Sequence, residues 1–174
     1  MKNRKIYLMG ACLLCWLTSI AQNVSLQPPP QQLNEQGKTL SLPAIYRIEG
    51  EKEANPHAVK ALQGILTGKQ STKEGIRIYI GEKGDKSVRK YNKLIPKHEE
   101  GYYLAVNDKE IILAGNDERG TYYAIQTFAQ LLKEGKLPEV EIKDYPSVRY
   151  RGVVEGFYGT PWSHEARMHQ IEFY

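Results

Sequence analysis

The segment Arg149–Trp162 constrains the fold most, because an apolar strand runs directly into a turn rich in glycine and aromatic residues. It reads Arg-Tyr-Arg-Gly-Val-Val-Glu-Gly-Phe-Tyr-Gly-Thr-Pro-Trp. Glycine lets a ligand approach the backbone closely, and aromatic rings offer flat faces for packing. The pattern therefore predicts a buried strand whose end faces a ligand.

Residues 1–21 predict a cleaved secretory signal. A basic start is followed by an apolar run over residues 6–17 and by the small residues Ser19 and Ala21, where a signal peptidase reads the chain. The run is shorter than the about 20 residues that a transmembrane helix needs. An uncleaved anchor and a lipoprotein modified at Cys12 are the alternatives. The signal predicts a secreted or periplasmic bacterial protein.

Charge and cysteine content narrow the class of protein. The 174 residues carry 24 basic and 20 acidic side chains, a net charge of +4, and loss of the three basic residues of the signal leaves +1. A balance so close to neutral gives no support for nucleic-acid binding, and no membrane contact is expected after signal cleavage. Both cysteines, Cys12 and Cys15, lie within the signal, so the mature protein must depend on an ordinary core.

Apolar spacing predicts a small α+β (layered α/β) domain over residues 39–146, with two helices on one face of a sheet. Residues 22–38 before it are polar, rich in proline and glutamine, and predict an extended tether. The predicted strands cover residues 39–48, 76–80, 101–106, 110–114 and 140–142. The predicted helices run from an Asn55 cap to Gly68 and from an Asp117 cap to about Lys133, with a helical turn near Val88 and a tight turn at Asn107-Asp108.

Two pairs of adjacent tyrosines, Tyr102-Tyr103 and Tyr122-Tyr123, could stack on carbohydrate rings. Tyr102 and Tyr103 are neighbours on a strand, so their side chains point to opposite faces and one of them is expected in the core. Tyr122 lies in register with the apolar stripe of its helix, whereas Tyr123 does not. Core packing is the interpretation that these positions favour.

Metal and nucleophile patterns are weak in this sequence. None of the four histidines forms a helical zinc pair, since His164 and His169 are five residues apart. Glu82 and Asp85 lie in one glycine-containing loop and could offer oxygen ligands to a structural calcium ion. A solvated acidic loop is the alternative interpretation.

Two blocks of sequence resemble known glycosidases. Glu100-Gly-Tyr-Tyr-Leu-Ala-Val-Asn107, followed by Ile112–Leu132, is similar to the small domain that precedes the barrel in several hexosaminidases. Tyr150-Arg-Gly-Val-Val-Glu-Gly-Phe-Tyr-Gly-Thr-Pro-Trp-Ser163 resembles the first barrel strand of glycoside hydrolase family 84, the β-N-acetylglucosaminidases that include O-GlcNAcases and hyaluronidase-like enzymes. Residues 147–174 would then form the first strand and helix of a truncated (β/α)₈ barrel.

The resemblance implies retaining hydrolysis of terminal β-linked N-acetylglucosamine, with the substrate's acetamido group as nucleophile. No cofactor is required, and the partners would be glycans or glycoproteins that carry N-acetylglucosamine. The family's catalytic residues are two adjacent aspartates after a later strand. This sequence contains no adjacent aspartates, so the pair is expected beyond Tyr174 and the chain alone is expected to be inactive.

The resemblance also implies two substrate-binding positions. Gly156 matches the glycine whose backbone contacts the sugar hydroxyls, and Tyr158 matches the tyrosine beside that pocket. A simple tight turn is the alternative role for Gly156. A family 20 hexosaminidase and a non-catalytic carbohydrate-binding or structural module are the rival functions, and the sequence leaves the natural glycan and the oligomeric state open.

Overall fold

The computed structural model describes residues 24–154, 156 and 159–173. Seven strands and three helices occur in these ranges. The strands are β1 (Gln32–Ser41), β2 (Ile45–Glu49), β3 (Lys69–Gln70), β4 (Ile76–Glu82), β5 (Tyr102–Val106), β6 (Glu110–Gly115) and β7 (Lys136–Asp144). The helices are α1 (Pro56–Ile65), α2 (Glu118–Leu131) and α3 (His164–Phe173), with a 3₁₀ turn at Arg89–Tyr91.

The strands form one mixed sheet in the order β1-β7-β5-β6-β4-β2-β3. Strands β2, β4 and β6 pair in parallel, and β5 pairs antiparallel with both β6 and β7. Helix α1 connects the parallel strands β2 and β4, as such a crossover requires. The central strands β5 and β6 are buried along nearly their whole length, because both faces of the sheet are covered.

Two apolar clusters hold the layers together. On one face, α1 and α2 pack on the sheet through a large core that includes Leu62, Ile125 and Phe128. On the other face, the segment around the 3₁₀ turn covers the sheet through Val88 and Tyr91. The prediction of two helices on one face of a sheet is therefore confirmed.

The predicted helix caps and the hairpin are also confirmed. The Asn55 side chain accepts a hydrogen bond from the His57 amide at 2.8 Å, and Asp117 accepts one from the Gly120 amide at 2.9 Å. In the β5–β6 turn, the Asn107 side chain accepts from the amide of Lys109 at 2.9 Å and from the amide of Glu110, the first residue of β6, at 3.0 Å. Each of these bonds joins residues two or three positions apart, so the local sequence was enough to predict it.

The first predicted strand, residues 39–48, was wrong as a single element. Pro43 has no amide hydrogen to donate, and it lies between two strands on opposite sides of the sheet. Strand β1 forms the edge beside β7 and includes all of residues 32–38. The prediction of a tether was therefore wrong for that part of the lead-in. Polar residues suit this edge position because most of β1 faces solvent.

The predicted burial of the strand before Gly156 was wrong. Residues 149–154 form no strand, and Tyr150 and Val154 are 82% and 95% exposed. A barrel strand is buried by the strands and helices around it, and the described part of the chain supplies no neighbouring strand for this segment. The helix expected after it is present as α3, none of whose described residues is buried.

The predicted core position of Tyr122 was also wrong. The buried stripe of α2 contains Ile125, Phe128 and Leu131, but in the first turn of the helix it passes through Thr121 and not through Tyr122. Tyr122 is consequently 41% exposed, and its ring meets that of Tyr123 edge-on with centroids 6.4 Å apart. Tyr102 and Tyr103 are both buried, since each faces one of the two covered sides of the sheet.

No helix within the described ranges is long and apolar enough to cross a membrane. The predicted signal, residues 1–21, lies outside the described residues.

Candidate functional site

A groove of about 410 Å³ lies where the chain leaves β7 and passes the outer side of α2. Its volume is within the range of small-ligand pockets, which is about 300–1,000 Å³. Three segments form its walls: the lead-in around Gln27–Gln31, helix α2, and the connector over residues 144–151. The aromatic side chains that line it are Tyr102, Tyr123 and Tyr145.

The floor of the groove is a closed hydrogen-bond network around Tyr102. The Tyr102 hydroxyl lies 2.7 Å from the hydroxyl of Thr127 and donates to Asp144 Oδ2 at 3.0 Å. The other Asp144 oxygen accepts the Gln31 amide at 3.0 Å. Burial raises the pKa of Tyr102 above its ordinary value, so the phenol remains a neutral donor. These groups bind one another, which makes the floor a rigid support for the connector.

The connector is also fastened along its length. The Gln31 side-chain amide donates to the Tyr145 carbonyl at 3.2 Å and to the Ser147 hydroxyl at 2.6 Å. The Tyr145 ring stacks on His98, with centroids 3.8 Å apart and an interplanar angle of 12°. These contacts hold the backbone between β7 and the glycine-rich segment against the domain.

Glu100 binds the end of this connector. Its side chain is buried, and its carboxylate forms ion pairs with Arg151 and, at 3.0 Å, with Arg119. Arg151 holds the pKa of the Glu100 carboxyl below its ordinary value, against the opposing effect of burial, and Arg119 adds to the lowering. Glu100 is therefore an ionised anchor that joins the residues before β5 to the first turn of α2 and to the start of the glycine-rich segment.

Of the two predicted sugar-binding positions, only Gly156 is among the residues that the structure describes. Gly156 is exposed and lies outside any helix or strand. Tyr158 lies outside the described residues. The pocket prediction for this pair is therefore neither confirmed nor contradicted by the geometry.

The predicted calcium ligands Glu82 and Asp85 do lie together in one turn. Asp85 Oδ2 accepts the Glu82 backbone amide at 2.8 Å, so one of its oxygens is engaged by the turn itself. Burial, and then the negative charge of Asp85, raises the pKa of the Glu82 carboxyl. Among the described residues, no group of three or more His, Cys, Asp or Glu side chains is placed to hold a metal ion. Calcium binding stays a prediction.

The Glu100–Arg151 pair was missed by the sequence reasoning. The two residues are 51 positions apart, and nothing in local spacing connects them. The sequence held only a weak indication of this pair. Glu100 begins one recognisable block, and Arg151 directly precedes the Gly-Val-Val run of the other. Their pairing depends on the way the connector folds back across α2.

Residues 23–145 match the family model described as "Glycosyl hydrolase family 20, domain 2". The chain belongs to this family. A second model, described as "beta-N-acetylglucosaminidase", matches residues 151–174. The family 20 domain 2 contains the whole seven-stranded sheet, and the second match begins at Arg151, the residue that Glu100 binds.

Relatives support the same assignment. A beta-hexosaminidase of Porphyromonas gingivalis is 27% identical over 170 residues, which cover 82% of this chain and 22% of that protein. The solved structure of CpGH84B is 33% identical, with a TM-score of 0.77, over 87% of this chain and 28% of that one. The structure of CpGH84D, at 22% identity and a TM-score of 0.74, shares the fold.

The chain spans about a quarter of the length of the relatives it matches. The predicted fold of the small α+β domain is confirmed, because the described sheet and helices are shared with CpGH84B at a TM-score of 0.77. Kinship with the β-hexosaminidase group of glycoside hydrolases is confirmed as well.

Proposed function

We propose that the chain is the N-terminal part of a secreted, retaining β-N-acetylglucosaminidase of glycoside hydrolase family 84. The observation that carries the proposal is the match of residues 151–174 to the β-N-acetylglucosaminidase model, over the segment Glu-Gly-Phe-Tyr-Gly-Thr-Pro-Trp. The 33% identity to CpGH84B, whose name carries the family 84 designation, supports it. The substrates would be glycans or glycoproteins that end in β-linked N-acetylglucosamine, including O-linked N-acetylglucosamine on proteins.

The proposed reaction follows the substrate-assisted scheme that the resemblance implies. The acetamido oxygen of the bound sugar attacks the anomeric carbon while one aspartate orients and polarises the acetamido nitrogen. A second aspartate protonates the departing oxygen and then activates water as a base. In this scheme, the backbone at Gly156 would approach the sugar hydroxyls and Tyr158 would line the same pocket. No redox cofactor or catalytic metal takes part.

The residues of this chain would supply one wall of that pocket and its support. Ligands of a (β/α)₈ barrel bind at the carboxyl ends of the strands, which is where Gly156 would lie after the first strand. The sequence contains no adjacent aspartates, so we expect this chain alone to hydrolyse no aryl N-acetylglucosaminide. If this chain alone did turn over such a substrate, and a thiazoline-type inhibitor blocked the reaction, the catalytic residues would have to lie within this chain. That result would contradict the proposal that they lie in another segment.

The deciding experiment is to sequence the gene past the codon of Tyr174. The proposal predicts a continuous reading frame with an Asp-Asp pair after an apolar strand, and release of N-acetylglucosamine by the expressed product. A frame without that pair would overturn the proposal. Asparagine at either aspartate should abolish turnover while leaving the domain folded.

A family 20 β-hexosaminidase is the second candidate. It is favoured by the family 20 model over residues 23–145, which covers most of the chain. That domain does not by itself separate the two families, and the match of residues 151–174 is what favours family 84 in this proposal. The downstream sequence discriminates between them, because the adjacent aspartates are expected only in family 84. Secretion is part of either proposal and is tested by locating the mature protein outside the cytoplasm.

A further inference from the structure

Glu100, a buried glutamate two residues before β5, contacts the start of the segment that the proposed function places at the sugar. Glu100 is only 8% exposed, and one of its oxygens accepts a hydrogen bond from Arg151. Arg151 in turn donates to the Val148 carbonyl at 2.7 Å. One guanidinium therefore joins the anchor to the backbone of the connector. A charge-assisted bond of this kind is stronger and more directional than a neutral one.

The anchor itself is fixed by the domain. The Glu100 backbone amide donates to Asp117 Oδ2 at 2.7 Å, and its second carboxylate oxygen accepts from Arg119 at 3.0 Å. Its φ of 60° lies in the left-handed region that non-glycine residues rarely adopt. A conformation of this kind persists only where surrounding contacts hold it, and here they aim the carboxylate at the connector.

Arg151 and Gly156 are close together along the chain. Gly156 follows Arg151 by five residues, and five residues span at most about 17 Å when fully extended. Residues 152–154 are exposed and form no helix or strand. Among the described residues, the contacts that restrain this segment are therefore those of Arg151, directly before it. The placement of Arg151 consequently limits where Gly156 can lie.

We infer that Glu100 is a positioning residue, which sets the approach of the Gly156 segment to the sugar by holding Arg151. This role rests on the proposed function, because it gives the segment a substrate to approach. Arg119 has a different part: its side chain is 73% exposed, against 40% for Arg151, and it joins Glu100 to the first turn of α2. The positioning role therefore requires Arg151 and not Arg119.

Backbone ¹⁵N relaxation on this chain tests the inference without any glycan. We expect order parameters near 0.8 at Gly152–Val154 in the wild type, and values below about 0.6, typical of flexible backbone, in Glu100→Gln. Arg151→Gln should give the same loss. Glu99→Gln is the matched control, because the neighbouring Glu99 reaches Arg149 only at 3.9 Å and both side chains are mostly exposed.

Arg119→Gln separates positioning from general stability, since it removes the other arginine and should leave Gly152–Val154 ordered. Equal order parameters in the wild type and Arg151→Gln would overturn the inference, as would an equal loss in Arg119→Gln. Arg151→Gln keeps the test decisive if Glu100→Gln does not fold. Failure of the proposed hydrolase activity would leave these results unchanged, so the two proposals fail separately.

Discussion

Asp117 and Glu100 are joined by a hydrogen bond from the Glu100 amide to Asp117 Oδ2, at 2.7 Å. The other oxygen of the same carboxylate caps α2 by accepting the Gly120 amide at 2.9 Å. One side chain therefore begins the long helix and fixes the backbone of the residue that binds Arg151. The helix cap and the anchor of the glycine-rich segment form one unit.

Asp117→Ala should lower the free energy of unfolding by about 2 kcal/mol. The loss of a helix cap costs about 1 kcal/mol, and the Glu100 amide, part-buried and without its acceptor, adds a similar amount. Urea denaturation followed by circular dichroism measures the change. Asp108→Ala is the control, since Asp108 lies in the exposed β5–β6 turn, and it should change stability by less than about 0.5 kcal/mol. Equal effects of the two variants would contradict the shared role of Asp117.

Two helical glycines should respond in opposite directions to alanine. A Cβ on Gly120 would lie 2.2 Å from the Gly101 carbonyl oxygen, whereas a Cβ on Gly64 in α1 would meet nothing within 4 Å. Gly64→Ala should therefore stabilise the protein by about 0.5–1 kcal/mol, through helix propensity alone. Gly120→Ala should destabilise it by about 1–3 kcal/mol, because the backbone of Gly101 cannot move away easily.

Thermal and urea unfolding of both variants, measured under the same conditions, check this pair. A stabilised Gly120→Ala variant would show that α2 does not pack against the residue that follows Glu100. The close approach of Gly120 to Gly101 would then not hold in solution.

The local features of the fold were predictable because their causes are local. The side chains of Asn55, Asn107 and Asp117 each accept a hydrogen bond from a backbone amide two or three residues later, so a short stretch of sequence is enough to predict the bond. The two-sided burial of Tyr102 and Tyr103 was only half predicted. It depends on the segment around Val88, which covers the second face of the sheet from a distance in sequence.

The parts that were missed depend on pairings across long distances in sequence. Nothing in the polar composition of β1 indicates that it pairs with β7, about 100 residues later. The Glu100–Arg151 contact has the same character, since both residues read as ordinary surface charges until the connector is placed. Tyr122 shows a finer limit: the apolar stripe of α2 was identified, but the polar Thr121 and not Tyr122 occupies its buried position in the first turn.

Acid should weaken the domain through Glu100. Arg151 lowers its folded-state pKa below that of the unfolded chain, with Arg119 in support, so its contribution is complete above the unfolded value of about 4.3. That contribution is lost as the pH falls through the lower folded-state pKa. We therefore expect the free energy of unfolding of the wild type to fall more steeply below about pH 4.5 than that of Glu100→Gln.

Urea titrations at a series of pH values test this slope. Glu99→Gln is the control, since the contact of that exposed glutamate with Arg149 is long, at 3.9 Å. Parallel curves for the wild type and Glu100→Gln would show that the ion pair does not form in solution.

Glu82 should show the opposite sign. Burial and the nearby negative charges of Asp85, Glu118 and Asp117 raise its pKa, so the folded protein binds a proton there more readily than the unfolded chain does. The ionised side chain therefore opposes folding at neutral pH. Glu82→Gln should raise the free energy of unfolding at pH 7 by roughly 0.5 kcal/mol, and this gain should shrink as the pH falls through the raised pKa. Glu74→Gln, at an exposed turn, is the control.

Millimolar calcium adds a second comparison: a bound ion would stabilise the wild type and not Glu82→Gln, whereas equal melting temperatures with and without calcium would exclude calcium binding at Glu82 and Asp85.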